Sequence, residues 1–496
     1  MTNSPSRNNA PVRWATIVLP FLLAHVASAG LPAVGPDYKR PSVEAPETYR
    51  EMDTVLATAN AAAIRADWWR SFDDPALNEL EDRALAANQD LRAALARVEQ
   101  VRALAGLARS DYFPSLAVEP SATREKNSAT MDHPLPATTT STYRVPLSLS
   151  WELDLFGRVR RLNETARAEL AAAGATFDAA RLALTAEVAI THFSLQALDH
   201  ELQVVTDTIQ VRRDALRLVQ ARFDRGGVAE LDVARAETEL ATTEADHAAL
   251  AVRRSETQSA LALLMGEPAP SFAVAAVSNR NTHKRVPTIP AGLPSDLLLR
   301  RPDIAAADRS LAAANARIGV AKAAFFPAIS LTGGAGYASA EIDSLFKSDS
   351  RLWSIGPSIY LPIFQGGRNR ANLARSRAAY EESVADYRQT ILIAFREVQD
   401  ALTASRLLKD QANAQARAVA SARRGEELSR KRYDAGFVSY LEVVDAQRTA
   451  LEVERTDARL RGQQWITHIS LIKALGGGWQ SSSEIAPAGT FSHVQR

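Results

Sequence analysis

The sequence is marked first by what it lacks. Its 496 residues include no cysteine, which excludes disulfides, thiol nucleophiles and cysteine metal sites and is compatible with an oxidising compartment. The formal net charge is only +1, so no strong field favours nucleic acid as a partner. Beyond the N-terminus, no segment has about 20 continuous apolar residues, so we expect no ordinary membrane helix in the mature chain.

Sets of catalytic or cofactor-binding residues are missing too. The eight histidines are scattered, and none has the i, i+4 spacing with a carboxylate that indicates a zinc site. The glycine-rich run 333–336 lies in a strand-like pattern and opens no helix, so it does not indicate a phosphate loop. We therefore expect no enzyme, no cofactor and no metal site; a hydrolase would need a nucleophile–base pair that the sequence does not offer.

The N-terminus has the layout of a secretory signal peptide. Arg7 and Arg13 precede an apolar run over 14–26, and residues 27–29 form a small-x-small cleavage site. A transmembrane anchor is the competing interpretation, but this run is short for about 30 Å of hydrocarbon. We expect residues 1–29 to be removed on export.

The chain contains an internal repeat. Gly226 and Gly436 are 210 residues apart, and the segments around them align without a gap. Upstream, Phe113 reappears as Phe326, 213 residues later. A duplicated unit of about 200 residues predicts a pseudo-symmetric object such as a ring, a tube or a two-fold carrier.

Two long tracts, 147–267 and 363–486, contain no proline and are rich in helix-forming residues. Glycines interrupt each tract once near its middle, where a helix could stop and reverse. We expect two helical hairpins with arms of roughly 60 residues, or about 90–100 Å at ~1.5 Å per residue. Taken alone, the arms are equally typical of an ordinary soluble coiled coil.

Four other segments alternate between apolar and polar residues with the period of a β-strand. The clear ones are 143–153 and 353–363, and weaker partners at 115–123 and 328–338 precede them. Such alternation over about ten residues is typical of strands with one face in lipid and one in water. The alternative is two hairpins packed on a soluble core.

Membrane strands in this number would need further copies of the chain. Trp151 and Trp353 are candidates for an interfacial aromatic girdle. Four strands cannot close a barrel, because open edges in lipid leave backbone groups unsatisfied, and the smallest such barrels use about eight strands. Two chains would supply eight strands and three would supply twelve, and the strand pattern leaves that choice open.

Six motifs run in order from residue 34 to residue 448. They are Val34-Gly35-Pro36-Asp37-Tyr38-Lys39-Arg40-Pro41, Trp68-Trp69 with Phe72, Asp74-Pro75 and Leu77, Trp151-Glu152-Leu153-Asp154-Leu155-Phe156-Gly157, Arg300-Arg301-Pro302-Asp303-Ile304, Phe364-Gln365-Gly366-Gly367-Arg368, and Tyr440-Leu441 with Asp445-Ala446-Gln447-Arg448. In these motifs the chain resembles the TolC-type outer-membrane efflux factors, in the branch that contains OprM and NodT-like proteins. That branch usually carries a lipidated cysteine just before the first motif, and this chain has none over 29–33. Either the barrel alone holds the protein in the membrane, or the natural N-terminus differs.

The resemblance implies a mixed fold, in which long α-helical coiled-coil hairpins form a periplasmic tunnel and β-strands form an outer-membrane barrel. It implies a homotrimer in the outer membrane of a Gram-negative bacterium, with four strands per chain in a twelve-stranded barrel and a twelve-helix tunnel. The partners it implies are outer-membrane lipid, a periplasmic adaptor (membrane fusion) protein and an inner-membrane efflux pump.

The function implied is passive export of small toxic compounds. Because His and Met are few and Cys is absent, antibiotics or other organic toxicants are a better expectation than soft metal ions. The alternative is a secreted coiled-coil scaffold or adhesin without a pore.

The repeat and the motifs divide the chain into eight segments. These are a signal peptide (1–29), an N-terminal segment with the start of the first helical repeat (30–110), a first β-hairpin (111–157), a first helical hairpin (158–275), an inter-repeat and equatorial segment (276–323), a second β-hairpin (324–363), a second helical hairpin (364–478) and a C-terminal tail (479–496).

The candidate functional residues lie at the helix reversals. Gly226, Gly227 and Gly436 are expected at the far tip of the tunnel, where an adaptor would bind. Leu441 and Asp445, four residues apart on one helix face, are the predicted pore gate. In a trimer, a ring of Leu441 would make a dry constriction and a ring of Asp445 would bring like charges together.

Arginines near the tip are predicted to support this gate. Asp445 aligns with Arg235 of the first repeat. We expect Arg235, or the neighbouring Arg222 and Arg432, to pair with acidic groups on adjacent hairpins and hold the tip shut. The alternative is that these are surface pairs worth a few tenths of a kcal/mol.

Overall fold

A computed structural model describes residues 33–44, 46, 48–50, 64–128, 130, 139–275 and 300–479. The predicted signal peptide, the stretch 276–299 of the inter-repeat segment and the tail from 480 onward lie outside the described residues. The chain divides into two compact units. The sheet unit contains residues up to Pro41 with Glu99–Ala171 and Asp308–Ala385, and the hairpin unit contains Ser42–Val98, Ala172–Ala307 and the chain from Asp386 onward.

Helices make up most of the described chain. In chain order they are α1 (Pro75–Ala87), α2 (Gln89–Ser110), α3 (Arg158–Phe223), α4 (Glu230–Leu264), α5 (Pro302–Ala323), α6 (Arg368–Asp434) and α7 (Tyr440–Ala474). The pairs α3–α4 and α6–α7 are the two predicted helical hairpins. Over the described ranges, no helix is both long enough and apolar enough to cross a membrane.

The first arm of each hairpin has the predicted length, and the second does not. α3 and α6 have 66 and 67 residues, whereas α4 and α7 have 35 each, so the expected 60 was wrong for the second arms. Both short arms stop where another helix begins. The Asn88 side-chain amide donates to the carbonyl of Leu264 (3.0 Å), and Arg301 Nη1 donates to the carbonyl of Ala474 (3.0 Å). These groups satisfy carbonyls that a helix C-terminus leaves free, and a missing proline does not reveal such an end.

An aromatic cluster forms the core of the hairpin unit. The motif Trp68–Phe72 is a short 3-10 helix whose Trp68, Trp69 and Phe72 are buried. Phe72 packs against Phe193 of α3, and Phe193 stacks on Trp465 of α7 with ring centroids 4.9 Å apart. The tryptophan motif therefore joins α3 of the first hairpin to α7 of the second.

Asp74 caps α1 beside this core. Its carboxylate accepts hydrogen bonds from the backbone N–H groups of Ala76 and Leu77, and His192 and Gln196 of α3 contact it at 3.2 and 3.1 Å. Burial opposes ionisation of Asp74, yet these hydrogen bonds hold its pKa well below the usual range. The Asp-Pro pair of the motif is thus a helix start, with proline at the first helical position.

The sheet unit contains one antiparallel sheet of β1 (Ser115–Val118), β2 (Ser121–Lys126), β3 (Thr139–Leu153), β4 (Ala328–Ser339) and β5 (Arg351–Tyr360). The strand order is β1-β3-β4-β5, and β2 pairs with β3 on the same side as β1. The predicted strand 115–123 is therefore two short strands, interrupted at Glu119 and Pro120. The predicted strand 353–363 ends at Tyr360, because Pro362 has no N–H to give to a ladder.

The strand registers bring the predicted apolar faces together. Across three strands, Leu153 pairs with Ile329 and Ile329 with Ile359, so apolar side chains share one side of the sheet. No residue of the five described strands is buried in the single chain. This sheet therefore has two uncovered faces, which is unusual for a sheet that packs on a soluble core.

The N-terminal motif 34–40 binds two helices of the sheet unit. Arg161 of α3 donates to the carbonyls of Val34 and Gly35 and pairs with Asp37 at 2.8 Å. The fully buried Asp308 of α5 accepts hydrogen bonds from Tyr38 and Arg40 at 2.7 and 2.8 Å. The motif thus ties the start of α3 to α5.

Candidate functional site at the tips of the hairpins

Both hairpins reverse through the same backbone motif. Gly226 (φ +74°) and Gly436 (φ +79°) adopt the left-handed conformation that favours glycine. The N–H after each glycine reaches back five residues, from Gly227 to the Arg222 carbonyl (2.8 Å) and from Phe437 to the Arg432 carbonyl (2.9 Å). No neighbouring atom would contact a Cβ added at Gly226 or Gly436. These glycines are therefore set by backbone conformation rather than by crowding.

The two tips pack against each other through a small apolar cluster within the hairpin unit. Val219 of α3 and Val233 of α4 meet Tyr440, Val443 and Val444 of α7 in this buried group. Burial raises the pKa of Tyr440 to about 12, so the phenol stays neutral. The reversal of the first hairpin is therefore held to the start of α7.

The three predicted arginines have different partners. Arg222 reaches from the first hairpin to Asp434 of the second at 3.5 Å, and its guanidinium lies 4.7 Å from the centre of the Tyr433 ring. Arg432 pairs with Glu442 of its own hairpin (3.6 Å), and Arg235 pairs with Asp232 of its own helix (3.5 Å). Of these three arginines, Arg222 makes a pair between hairpins within one chain, and Arg235 and Arg432 do not.

The predicted gate residues lie on an uncovered face of α7. Leu441 is 48% exposed and Asp445 is exposed, while Val443 and Val444, which lie between them in sequence, face the apolar cluster. Leu441 and Asp445 therefore point away from the rest of their own chain. An exposed leucine and carboxylate beside a buried face are available to a neighbouring molecule or to a pore.

A buried carboxylate between the hairpins was not predicted. Glu239 of α4 pairs with Arg212 of α3 (3.0 Å) and accepts a hydrogen bond from Arg448 Nε of α7 (2.7 Å). Glu239 and Arg212 are 7% and 5% exposed at their side chains. Burial lowers the pKa of Arg212 and the charge of Glu239 opposes that shift, while hydrogen bonding to Glu239 raises the pKa of Arg448.

A second buried carboxylate lies further along the same pair of hairpins. Glu201 of α3 accepts hydrogen bonds from Arg455 (3.0 Å) and Arg459 (2.8 Å) of α7. Burial alone would raise the pKa of Glu201, but these two guanidinium groups hold it below the usual value. Together with Arg448, these arginines form a stripe along α7, and their spacing of seven and four residues is the signal that could have revealed it.

The two tryptophans expected in a girdle lie at different levels of the sheet. Trp151 is opposite Leu331 and Trp353 is opposite Ala335, which is four residues or about 13 Å further along β4. Trp151 donates its indole N–H to the Tyr112 carbonyl (3.0 Å), and 79% of Trp353 is exposed. The two rings therefore belong to separate levels rather than to one shared ring.

A known protein family matches each half of the internal repeat. The family model described as outer membrane efflux protein matches residues 80–267 and 293–477. The cation efflux system protein CusC of Escherichia coli is 36% identical over 463 residues, covering 93% of this chain and 99% of CusC. The toluene efflux pump outer membrane protein TtgF of Pseudomonas putida is 36% identical over 456 residues, covering 90% and 94%. The solved structure of the outer-membrane channel OprN superposes with a TM-score of 0.84 at 32% identity, covering 90% of this chain and 99% of OprN.

Proposed function

The chain belongs to the outer membrane efflux protein family, and we propose that three copies of it assemble into one barrel and one tunnel. It is an outer-membrane channel component of tripartite efflux in a Gram-negative bacterium, and this family consists of transport channels rather than enzymes. The scaffold without a pore is therefore set aside. The trimer, its partners, its gate and its cargo form the proposal.

The free edges of the sheet are the main support for a barrel shared between chains. The two sides of the sheet end in β5 and in the interrupted strand β1–β2, and a membrane does not tolerate such edges. Along β5, the apolar Trp353, Ile355 and Ile359 are exposed on one face, whereas Ser354 and Ser358 lie on the other. If β1 and β2 count as one strand, three chains supply a closed barrel of twelve strands, with Trp151 and Trp353 in separate rims.

The hairpin tips are the proposed meeting point with a periplasmic adaptor, which in turn binds an inner-membrane pump. Gly226, Gly227 and Gly436 shape this end, and Phe437 is 78% exposed there. Leu441 and Asp445 form the gate, and Arg222 supports it from the other hairpin, while Arg235 and Arg432 pair within their own hairpins. The open face of α7 and the Arg222–Asp434 pair support this arrangement.

The proposed cargo is small organic toxicants such as antibiotics. The relatives differ in the cargo that their names give, since CusC is named for cations and TtgF for toluene. The chain has no cysteine and only four methionines, so it has few soft ligands for a metal relay. A strain that lacks the chain should become sensitive to organic toxicants, with unchanged copper and silver tolerance. The reverse pattern would contradict this cargo.

The assembly is tested by the mass of the detergent-solubilised protein. We expect a protein–detergent particle whose protein mass equals three chains of 53.7 kDa less the signal peptide, recovered from outer-membrane fractions. A monomer or dimer mass would contradict the trimer. In cells, Asp445→Ala should raise susceptibility to a large hydrophilic antibiotic that intact outer membranes exclude, and Arg253→Ala, at an exposed site on α4, should not.

A further inference from the structure

Two phenylalanines stack where strands meet helices in the sheet unit. Phe156 follows β3, Phe326 precedes β4, and their ring centroids lie 5.0 Å apart with the planes at 26°. β3 and β4 are hydrogen-bonded neighbours, and Leu153 is opposite Ile329 at this end of the ladder. The aromatic pair therefore closes the helix-side end of the β3–β4 ladder.

The internal repeat supplies a second copy of each phenylalanine. The offset of 213 maps Phe326 onto Phe113, which precedes β1. An offset of 208, which superposes the apolar positions of β3 on those of β5, maps Phe156 onto Phe364. Because β1 and β5 lie at opposite edges of the sheet, these two rings cannot meet within one chain as Phe156 and Phe326 do.

Both unpaired rings are exposed in the single chain. Phe364 is 89% exposed and Phe113 is 62% exposed, whereas Phe326 in the stacked pair is 39% exposed. Ile363, next to Phe364, is 94% exposed. Apolar side chains this open, placed at a free sheet edge, indicate a surface that is covered in the assembled protein.

We propose that Phe364 of one copy stacks on Phe113 of the next copy, where β5 pairs antiparallel with β1. The inference rests on the proposed trimer and names the contact that would join its subunits. The strand directions fit, because β5 runs toward the helices and β1 runs away from them, as β3 and β4 do. The β3–β4 junction inside one chain is thus the template for the junction between chains.

The template also gives a register. Transferred through the two offsets, the β3–β4 pairing places exposed apolar residues opposite one another on one face. The resulting pairs are Ile359 with Val118 and, one residue beyond the end of β5, Leu361 with Leu116; they are equivalent to Trp151 with Leu331 and Leu153 with Ile329. When the same offsets are applied to the β1–β3 pairing, the β4–β5 register that they predict differs from the observed one by two residues. The experiment therefore also includes pairs shifted by two residues.

Membrane lipid is the competing cover for this surface. Lipid could contact the rings of Phe113 and Phe364, but it cannot hydrogen-bond the free backbone groups of β1 and β5. A second copy satisfies both needs at once. The equivalent position inside the chain is covered by an aromatic ring, not left to solvent or lipid.

Disulfide mapping tests the contact directly, because the chain has no cysteine of its own. The double variant Leu116→Cys/Leu361→Cys should form covalent dimers and trimers on oxidation, which reduction reverses, since paired strand residues have Cα atoms about 4.5–5.5 Å apart. The single variants should form no covalent trimer. The shifted pairs Leu116→Cys/Ile359→Cys and Val118→Cys/Leu361→Cys should crosslink several-fold less, and Leu153→Cys/Ile329→Cys should crosslink only within a chain.

A double-mutant cycle tests the rings themselves. Phe113→Ala and Phe364→Ala should each speed subunit dissociation in detergent, and the double variant should be no worse than the more damaging single change, because one partner alone cannot stack. Strictly additive effects would overturn the stacking.

The outcomes separate this inference from the proposed assembly. Trimers that form without a crosslink at 116–361, or that crosslink best at a shifted pair, overturn the contact and leave the trimer standing. Trimers in which Phe364→Cys is modified by a lipid-soluble thiol reagent as readily as a lipid-facing control, Ile355→Cys, show that lipid covers the site and also overturn the contact. A purely monomeric protein overturns the proposed assembly itself.

Discussion

The long helices α3 and α6 are equivalent in the repeat, yet they are held very differently. Both span more than 65 residues. Toward the tip, α3 keeps buried positions such as Val205 and Val219, whereas no residue over 402–434 of α6 is buried. Duplication therefore preserved the length of the arm and not its packing.

The tip half of α6 is attached to its neighbours by polar contacts along its length and, at its end, by the half-buried ring of Tyr433, which lies 5.5 Å from the ring of Tyr440. Arg423 pairs with Glu454, the Gln415 amide donates to the Val453 carbonyl (2.8 Å), and Arg222 pairs with Asp434. Exposed pairs of this kind contribute little, so local opening there costs little apolar burial. We infer that the tip half of α6 can shift, while the more deeply packed α3 stays fixed.

Removal of the Glu239 carboxylate should have the largest effect, because it destabilises the packed side of the tip, to which α3 belongs. Glu239→Ala leaves the buried Arg212 without a counter-charge, and loss of one partner of a buried pair costs about 3–5 kcal/mol. We expect a marked fall in the unfolding midpoint. Glu244→Ala, which removes an exposed pair with Arg213, is the matched control and should cost less than about 1 kcal/mol. Equal losses in the two variants would contradict the buried lock.

A second prediction concerns Glu81, a buried acid that has no counter-charge or hydrogen-bond partner among the described residues. Glu81 of α1 is fully buried, and neither carboxylate oxygen has a hydrogen-bond partner within the described chain. Burial, aided by the charge of Asp82, raises the pKa of Glu81 to about 9 from an ordinary 4.5.

The native state therefore binds a proton that the unfolded chain releases above about pH 4.5. The contribution of this bound proton to the free energy of unfolding is fully present below about pH 4.5 and is lost as the pH rises toward 9. Over this range the free energy of unfolding falls by up to about 1.4 kcal/mol per pH unit. Glu81→Gln should be more stable than the parent at pH 8 and similar at pH 4. A constant difference between the two proteins over that range would refute the assignment.

The smallest expected effect concerns the less buried tip half of α6. Arg222→Ala removes an exposed pair and a cation–π contact, so the free energy of unfolding should fall by less than about 1 kcal/mol. Amide exchange over 402–434 should nevertheless become faster, since this pair joins the two hairpins. Arg235→Ala, whose pair lies within one helix, should leave that exchange unchanged. Equal amide exchange rates over 402–434 in the two variants would show that Arg222 does not help to hold the two hairpin tips together.

Periodic features were predictable from the sequence, and contact-dependent ones were not. The reversals at Gly226 and Gly436 follow from local backbone conformation, so the sequence located them. Glu239 lies at the spacing of the buried positions Val233, Ala236 and Thr243 on α4, but its role depends on arginines from two other helices, α3 and α7. Likewise, the ends of α4 and α7 depend on side chains of Asn88 and Arg301, far away in sequence.

Two aligned residues at the tip, Asp445 and Arg235, should affect the channel differently, and single-channel conductance in planar bilayers measures this difference. Asp445 and Arg235 occupy equivalent positions, but Asp445 lies on an open face of α7 and Arg235 is engaged on its own helix. We predict that Asp445→Ala raises the conductance severalfold over the parent protein, and that Arg235→Ala leaves it unchanged. Conductance of Asp445→Ala equal to that of the parent, or an equal rise in both variants, would rule out a gate at Asp445 that Arg235 does not share.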